Sequence, residues 1–183
     1  MTGDGWQPGA TPATLAARAG LLIRIREFFG QRGVLEVETP LLGAGTVTDP
    51  NITPISCDDR WLQTSPEYAM KRLLAAGSGP IYQICKAFRH AEAGSRHNPE
   101  FTLLEWYRPG FSQADLIAEV GELVSGILGR EDWQRCSYQH LFQDYLQLDP
   151  FREDSASLAT FARERLDISF EPDNRDVWLD LLL

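Results

Sequence analysis

The chain has 183 residues, 43% of them hydrophobic and 23% charged, with a formal net charge of -9. That balance belongs to a folded globular chain and excludes a collagen-like or mainly disordered one. No apolar run approaches the roughly 20 residues that span a bilayer, and the N-terminus lacks a basic segment followed by an apolar one, so neither membrane anchorage nor secretion is expected. Cys57, Cys85 and Cys136 are odd in number and lack CxxC spacing, which argues against a disulfide framework or zinc site and for a reducing cytoplasm.

Residues 1–11, rich in Gly, Thr and Pro, read as a loose arm, and residues 12–183 as one domain. Thr11 followed by Pro12 is a helix start, Leu15, Ala19, Leu22, Ile25 and Phe29 recur at helical spacing, and Gly33 closes the helix. Val34 to Val37 is a short strand ending at Pro40. Residues 41–60 read as a loop holding one strand, and Trp61 to Thr64 as another strand. Ser65-Pro66-Glu67 opens a helix, with Ser65 as N-cap, Pro66 in its first position and Glu67 in the positive first turn. That helix stops at Gly77. Ile81 to Arg89 and Phe101 to Arg108 are strands of an antiparallel hairpin, joined by a polar loop over residues 90–100. A helix over Ser112 to Leu128 carries Leu116, Val120, Leu123 and Ile127 on one face and ends at Gly129. Three shorter helices follow Ser137; the last is still running at Leu183, as in a cut chain.

The charge is unevenly spread. Residues 60–108 carry seven basic and four acidic side chains, whereas residues 110–183 carry six and fifteen. Fifteen of the seventeen basic residues are Arg, which grips phosphate and carboxylate in two-pronged fashion. The overall acidity, with pI near 4.8, argues against broad nucleic-acid binding.

The basic segment holds the chemistry. Alternation along Phe101 to Arg108 puts Phe101, Leu103, Glu105 and Tyr107 on one face. A carboxylate between a ring and a phenol wants a cation: a nearby Arg, solvent, or the ammonium of a ligand. Upstream, Arg89, His97 and Asn98 can donate to the oxygens of a triphosphate, with Phe101 placed to stack on a base. No GxxxxGK[ST] run is present, so the usual phosphate loop is excluded.

FRHAEAGSRHNPEFTLLEWYR (Phe88 to Arg108) resembles motif 2 of class II aminoacyl-tRNA synthetases in its lysyl-type form. RGVLEVETPLL (Arg32 to Leu42) resembles motif 1, with its proline at Pro40, and LQTSPEYAMKRLL (Leu62 to Leu74) the lysyl-type amino-acid-binding segment. Only about thirty residues precede motif 1, where a lysyl-tRNA synthetase carries an anticodon-binding domain. Together with Leu104 to Pro109 this resembles the elongation factor P–(R)-β-lysine ligase family, paralogues that modify a protein instead of a tRNA.

The resemblance implies an α+β fold, an antiparallel sheet flanked by helices. It implies a homodimer built on motif 1, with ATP and Mg2+ as cofactors. β-Lysine would be activated as an adenylate and passed to a lysine of elongation factor P, with no tRNA partner. Arg89 would hold the α-phosphate and stabilise the developing charge. His97, beside Arg96, would meet the outer phosphates, Asn98 the adenine, and Phe101 would stack on it. Glu105 and Tyr107 would receive the side-chain ammonium, and Ser65, Pro66 and Glu67 form the segment that recognises the substrate's amino and carboxylate ends. Two departures stand out: Ala91 occupies the usual motif 2 Glu position, with the acid at Glu92, and nothing in residues 110–183 resembles motif 3. The chain alone is therefore expected to be inactive, as a fragment or a natural truncation. The competing readings are a non-catalytic dimerisation or binding module and the core of a lysyl-tRNA synthetase.

Overall fold

The computed structural model describes residues 8–90, 94, 97–168 and 174–183. The chain divides into two compact units, Met1–Glu131 and Asp132–Leu183.

The first unit starts with helix α1 (Pro12–Gln31). Thr11 is its N-cap, accepting from the Thr14 amide at 3.1 Å, and satisfies a donor the first turn would leave orphaned. Gly33 turns the chain at φ 64°, a conformation that side chains resist. Four short strands and one helix follow: β1 (Leu35–Glu36), β2 (Leu42–Gly43), β3 (Ser56–Cys57), β4 (Arg60–Leu62) and α2 (Glu67–Ala75). Next come two eight-residue strands, β5 (Ile81–Phe88) and β6 (Glu100–Tyr107), and α3 (Gln113–Leu128). Ser112 and Asp115 form a reciprocal capping box on α3, and Gly129 ends it at φ 66°.

The sheets differ from the expected arrangement in two ways. β5 and β6 pair antiparallel as the hairpin requires, from Ile81↔Tyr107 to Phe88↔Glu100, but β1 runs parallel to β5, so this sheet is mixed. The crossover between β1 and β5 is long enough to reverse the chain, which permits parallel pairing. Residues 41–60 hold more than one strand: β2, β4 and β3 form a second sheet in that order.

The hydrophobic stripes are also shifted. On α1 only the C-terminal half is buried: Ile25 and Phe29 are enclosed, whereas Leu15 is 54% exposed. Phe29 stacks on Tyr82 with centroids 4.5 Å apart and lies 5.5 Å from the Trp106 ring. On α3 the buried positions are Glu119, Gly121 and Leu123, while Leu116 and Val120 are exposed. A carboxylate therefore occupies a position the apolar pattern assigned to solvent.

Strand β1 is fastened by Glu36, which accepts two-pronged from Arg26 and takes the Tyr82 hydroxyl at 2.9 Å. The Arg26 hydrogen bond holds the Glu36 carboxyl below its ordinary range, and burial lifts the Tyr82 phenol to about 12.

In the second unit, α4 (Tyr138–Leu146), α5 (Ser155–Arg163) and α6 (Arg175–Leu182) follow the three-helix reading. Ser137, Asp154 and Asn174 cap them through side-chain oxygens. Phe142, Leu158, Ala162, Trp178 and Leu179 form their core.

Phe29 is fully buried and joins α1 to both long strands. Phe29→Ala is expected to destabilise the first unit by about 3–5 kcal/mol through lost burial and the cavity left behind. Urea unfolding followed by tryptophan fluorescence checks this; an unchanged midpoint would contradict the assigned core.

Candidate active site

Strand β6 has two working faces. Leu104 and Trp106 point into the core with Phe29, Tyr82 and Ile84. The alternate residues Phe101, Leu103, Glu105 and Tyr107 face the other way, as expected from the period of two. Their cross-strand partners are Ala87, Cys85, Gln83 and Ile81.

Glu105 is half-buried, and Tyr107 donates its hydroxyl to Glu105 Oε1 at 2.7 Å. Desolvation raises the Glu105 carboxyl above its ordinary 4.5; the Tyr107 hydrogen bond opposes this, the Glu67 charge adds to it and Lys71 counters it. Burial lifts the Tyr107 phenol strongly as well. Among the described residues no ion pair engages Glu105: the nearby Lys71 is committed to Glu67 at 2.6 Å. Among the described residues no Arg pairs with Glu105, and the ligand-ammonium reading stands open.

Glu67 reaches this face because α2 begins beside the ends of β4 and β5. The Phe88 amide donates to the Gln63 carbonyl at 2.9 Å, and Gln63 Nε2 donates to the Lys86 carbonyl at 2.7 Å. Thr64-Ser65 therefore runs alongside the end of β5. The helix N-cap is Pro66, which lacks a side-chain cap, not Ser65 as expected; Ser65 Oγ nevertheless accepts from the Glu67 amide at 3.3 Å. The displacement arises because Pro66 has near-helical torsions yet lies one residue before the first full turn. Pro66 is fully buried and shapes this turn without offering a contact surface.

Arg89 sits where β5 ends. Its Nε points at the Thr64 carbonyl at 3.4 Å, and its guanidinium lies 5.0 Å over the Phe101 ring. The ring assigned to a base is thus already covered on one face by the cation assigned to a phosphate. His97 and Asn98 are exposed on the connecting loop, where the His97 carbonyl accepts from Gly94 at 3.0 Å. Ala91, Glu92 and Arg96 lie outside the described residues.

Two ends of one sheet face are therefore built: Arg89 and Phe101 at one, Glu105, Tyr107, Glu67 and Lys71 at the other. Sequence reasoning missed the polar floor between them. Gln83 is 2% exposed and accepts from Thr39 Oγ1 at 3.0 Å. Gln63 Nε2 donates to Cys85 Sγ at 3.3 Å, and burial pushes that thiol up. Both residues occupy the same alternate face of β5, a signal present in the sequence. Lys71, four residues after Glu67, was equally legible as its helical partner.

A cavity of about 430 Å³ adjoins this site, lined among others by Trp61, Gln63, Ser65, Tyr68 and Arg72. Thr48 Oγ1 and Tyr68 Oη, 2.7 Å apart, pin the loop beside it.

Residues 9–160 match the model of the class II tRNA synthetases (D, K and N). The chain is 50% identical to the elongation factor P–(R)-β-lysine ligase of Mannheimia succiniciproducens, over 98% of its own length and 58% of the relative's. It is 50% identical to the protein of that name from Pseudoalteromonas translucida and 46% to the one from Haemophilus influenzae, over 97% of its length and 58% of theirs. The chain thus spans somewhat over half the length of the curated relatives it matches. With motifs 1 and 2 in order and the match covering most of its length, the chain belongs to the class II tRNA synthetase family (D, K and N).

Proposed function

We propose that the protein carrying this chain activates (R)-β-lysine with ATP and transfers it to a lysine of elongation factor P. The observation that carries the reading is Glu105: a half-buried carboxylate, hydrogen-bonded by Tyr107 and left without an ion pair among the described residues. A substrate ammonium supplies the missing counter-charge. The names of the relatives support the substrate class, and the acidic balance favours a basic protein acceptor over a polyphosphate one.

In this reading the substrate lies along the sheet face. Glu105 and Tyr107 hold its side-chain ammonium, while Ser65 and Glu67 orient the amino and carboxylate ends. Its carboxylate attacks the α-phosphorus of ATP, and pyrophosphate leaves. Arg89 neutralises the charge that grows on the α-phosphate, an electrostatic contribution made at the moment of reaction. Phe101 stacks on adenine with its uncovered face, Asn98 meets the base, and His97 meets the outer phosphates. The acceptor amine of elongation factor P then displaces AMP from the adenylate. Mg2+ would accompany ATP and offset the charge of its phosphates. A homodimer through motif 1 completes it.

Pyrophosphate exchange by the natural gene product should be faster with (R)-β-lysine than with α-lysine; a strong preference for α-lysine would overturn the reading. Arg89→Ala should lower the exchange rate by about 10²–10³-fold, the cost of losing one transition-state donor.

Glu105 makes a second expectation possible. Because its folded-state pKa is raised, the folded chain keeps a proton that the unfolded chain has released. Its charge therefore costs stability that appears as pH rises through the raised value. Glu105→Gln should stabilise the protein at neutral pH, leave it unchanged below about pH 4, and abolish amine binding. Thermal melts across pH, with calorimetric titration of the amine, read both effects; a loss of stability at neutral pH would contradict the desolvated carboxylate.

A further inference from the structure

Glu119 lies on α3, on the far side of the sheet from Glu105, yet it grips the same strand. It is 4% exposed, an unusual place for a carboxylate. Oε2 accepts a hydrogen bond from Trp106 Nε1 at 3.0 Å, and Oε1 lies 3.2 Å from Arg108 Nε in an ion pair almost wholly out of solvent, a charge contact in which that Nε makes no aligned hydrogen bond. Arg108 in turn lies 4.3 Å over the Phe111 ring, and the Trp106 ring packs beside Phe29.

The two residues Glu119 holds alternate with the two that form the candidate ammonium site. Trp106 lies between Glu105 and Tyr107, and Arg108 directly follows Tyr107. Holding 106 and 108 from below fixes the pleat and twist of that stretch, and hence the angle at which 105 and 107 leave the other face. β6 pairs with β5 along one side, and α3 holds it from its core-facing side.

We infer that Glu119 is a positioning residue: by gripping Trp106 and Arg108 together, it sets the geometry of the Glu105–Tyr107 pair that receives the substrate's ammonium. This rests on the function proposed above for Glu105. A buried carboxylate that served stability alone would be replaceable by a well-packed apolar side chain; one that sets the geometry of a site would not.

The test compares Glu119→Gln and the milder Trp106→Phe in the natural gene product, with pyrophosphate exchange as the assay. Both variants should raise the KM for the amine-bearing substrate by about tenfold and leave the KM for ATP within about twofold, the signature of a lost ground-state contact at one substrate only. A carbon-13 NMR titration of the Glu105 carboxyl in the 183-residue chain supplies a readout independent of catalysis. Release of the clamp lets water in, so the Glu105 titration should move down towards the ordinary carboxylate range in both variants. Unchanged amine KM and unchanged Glu105 titration, with only the melting temperature lowered, would make Glu119 merely structural and overturn the inference. If the unmodified protein exchanges pyrophosphate with no amine-bearing amino acid, the proposed function fails instead, and the Glu105 titration still decides the clamp.

Discussion

Strand β6 must serve two environments at once, and its period of two is what allows it. Leu104 and Trp106 close the core against Phe29 and Tyr82, while Glu105 and Tyr107, from the same short stretch, stand on the opposite face. A slip of one residue in the β5–β6 register would bury Glu105 against Phe29 and expose Trp106. The fully paired hairpin, the Phe29–Tyr82 stack and the Glu119 contacts all oppose that slip. The two faces of the strand are accordingly held in one register.

Glu105 is a partly desolvated carboxylate that no ion pair engages among the described residues. Taking a charge out of water raises its pKa and costs stability unless a partner is supplied. Here the compensation within the chain is incomplete: one phenol hydrogen bond, and a lysine already held by Glu67. In the proposed function an arriving ammonium supplies the remainder. At the other end of the face, Arg89 on Phe101 brings a cation and a flat apolar surface together, the pair of features a nucleotide needs. The separation of these two ends along one hairpin matches a reaction that joins an amine-bearing acid to a nucleotide.

Much of this was legible in the sequence because local rules and tertiary demands agree there. Thr11-Pro12, Ser112 and Gly129 mark helix ends by chemistry that needs no distant partner, and the alternation of Phe101, Leu103, Glu105 and Tyr107 needs only a strand. The parallel pairing of β1 with β5 was not legible, because two residues carry no periodic signal and the partner lies more than forty positions away. In the β2–β4–β3 sheet a strand at Trp61 and one strand within residues 41–60 were legible, but a second two-residue strand and the pairing were not, because segments so short carry no periodic signal. The stripe on α3 held for Leu123 and Ile127, which pack in the core, but not for Leu116 and Val120; beside them the buried position belongs to Glu119, whose reason for burial lies on a strand. The resemblance of Phe88 to Arg108 to a lysyl-type motif 2 pointed to the Glu105 face, but not to Lys71, Gln83 or Thr39 around it.

Whether Glu105 and Tyr107 receive an ammonium is read by calorimetric titration of the natural gene product with (R)-β-lysine and with its isostere bearing a methyl group in place of the side-chain ammonium. Binding of the first and none of the second at the same concentrations is the expected result. Equal affinity for the two would contradict the claim, because the carboxylate would then contribute nothing to recognition.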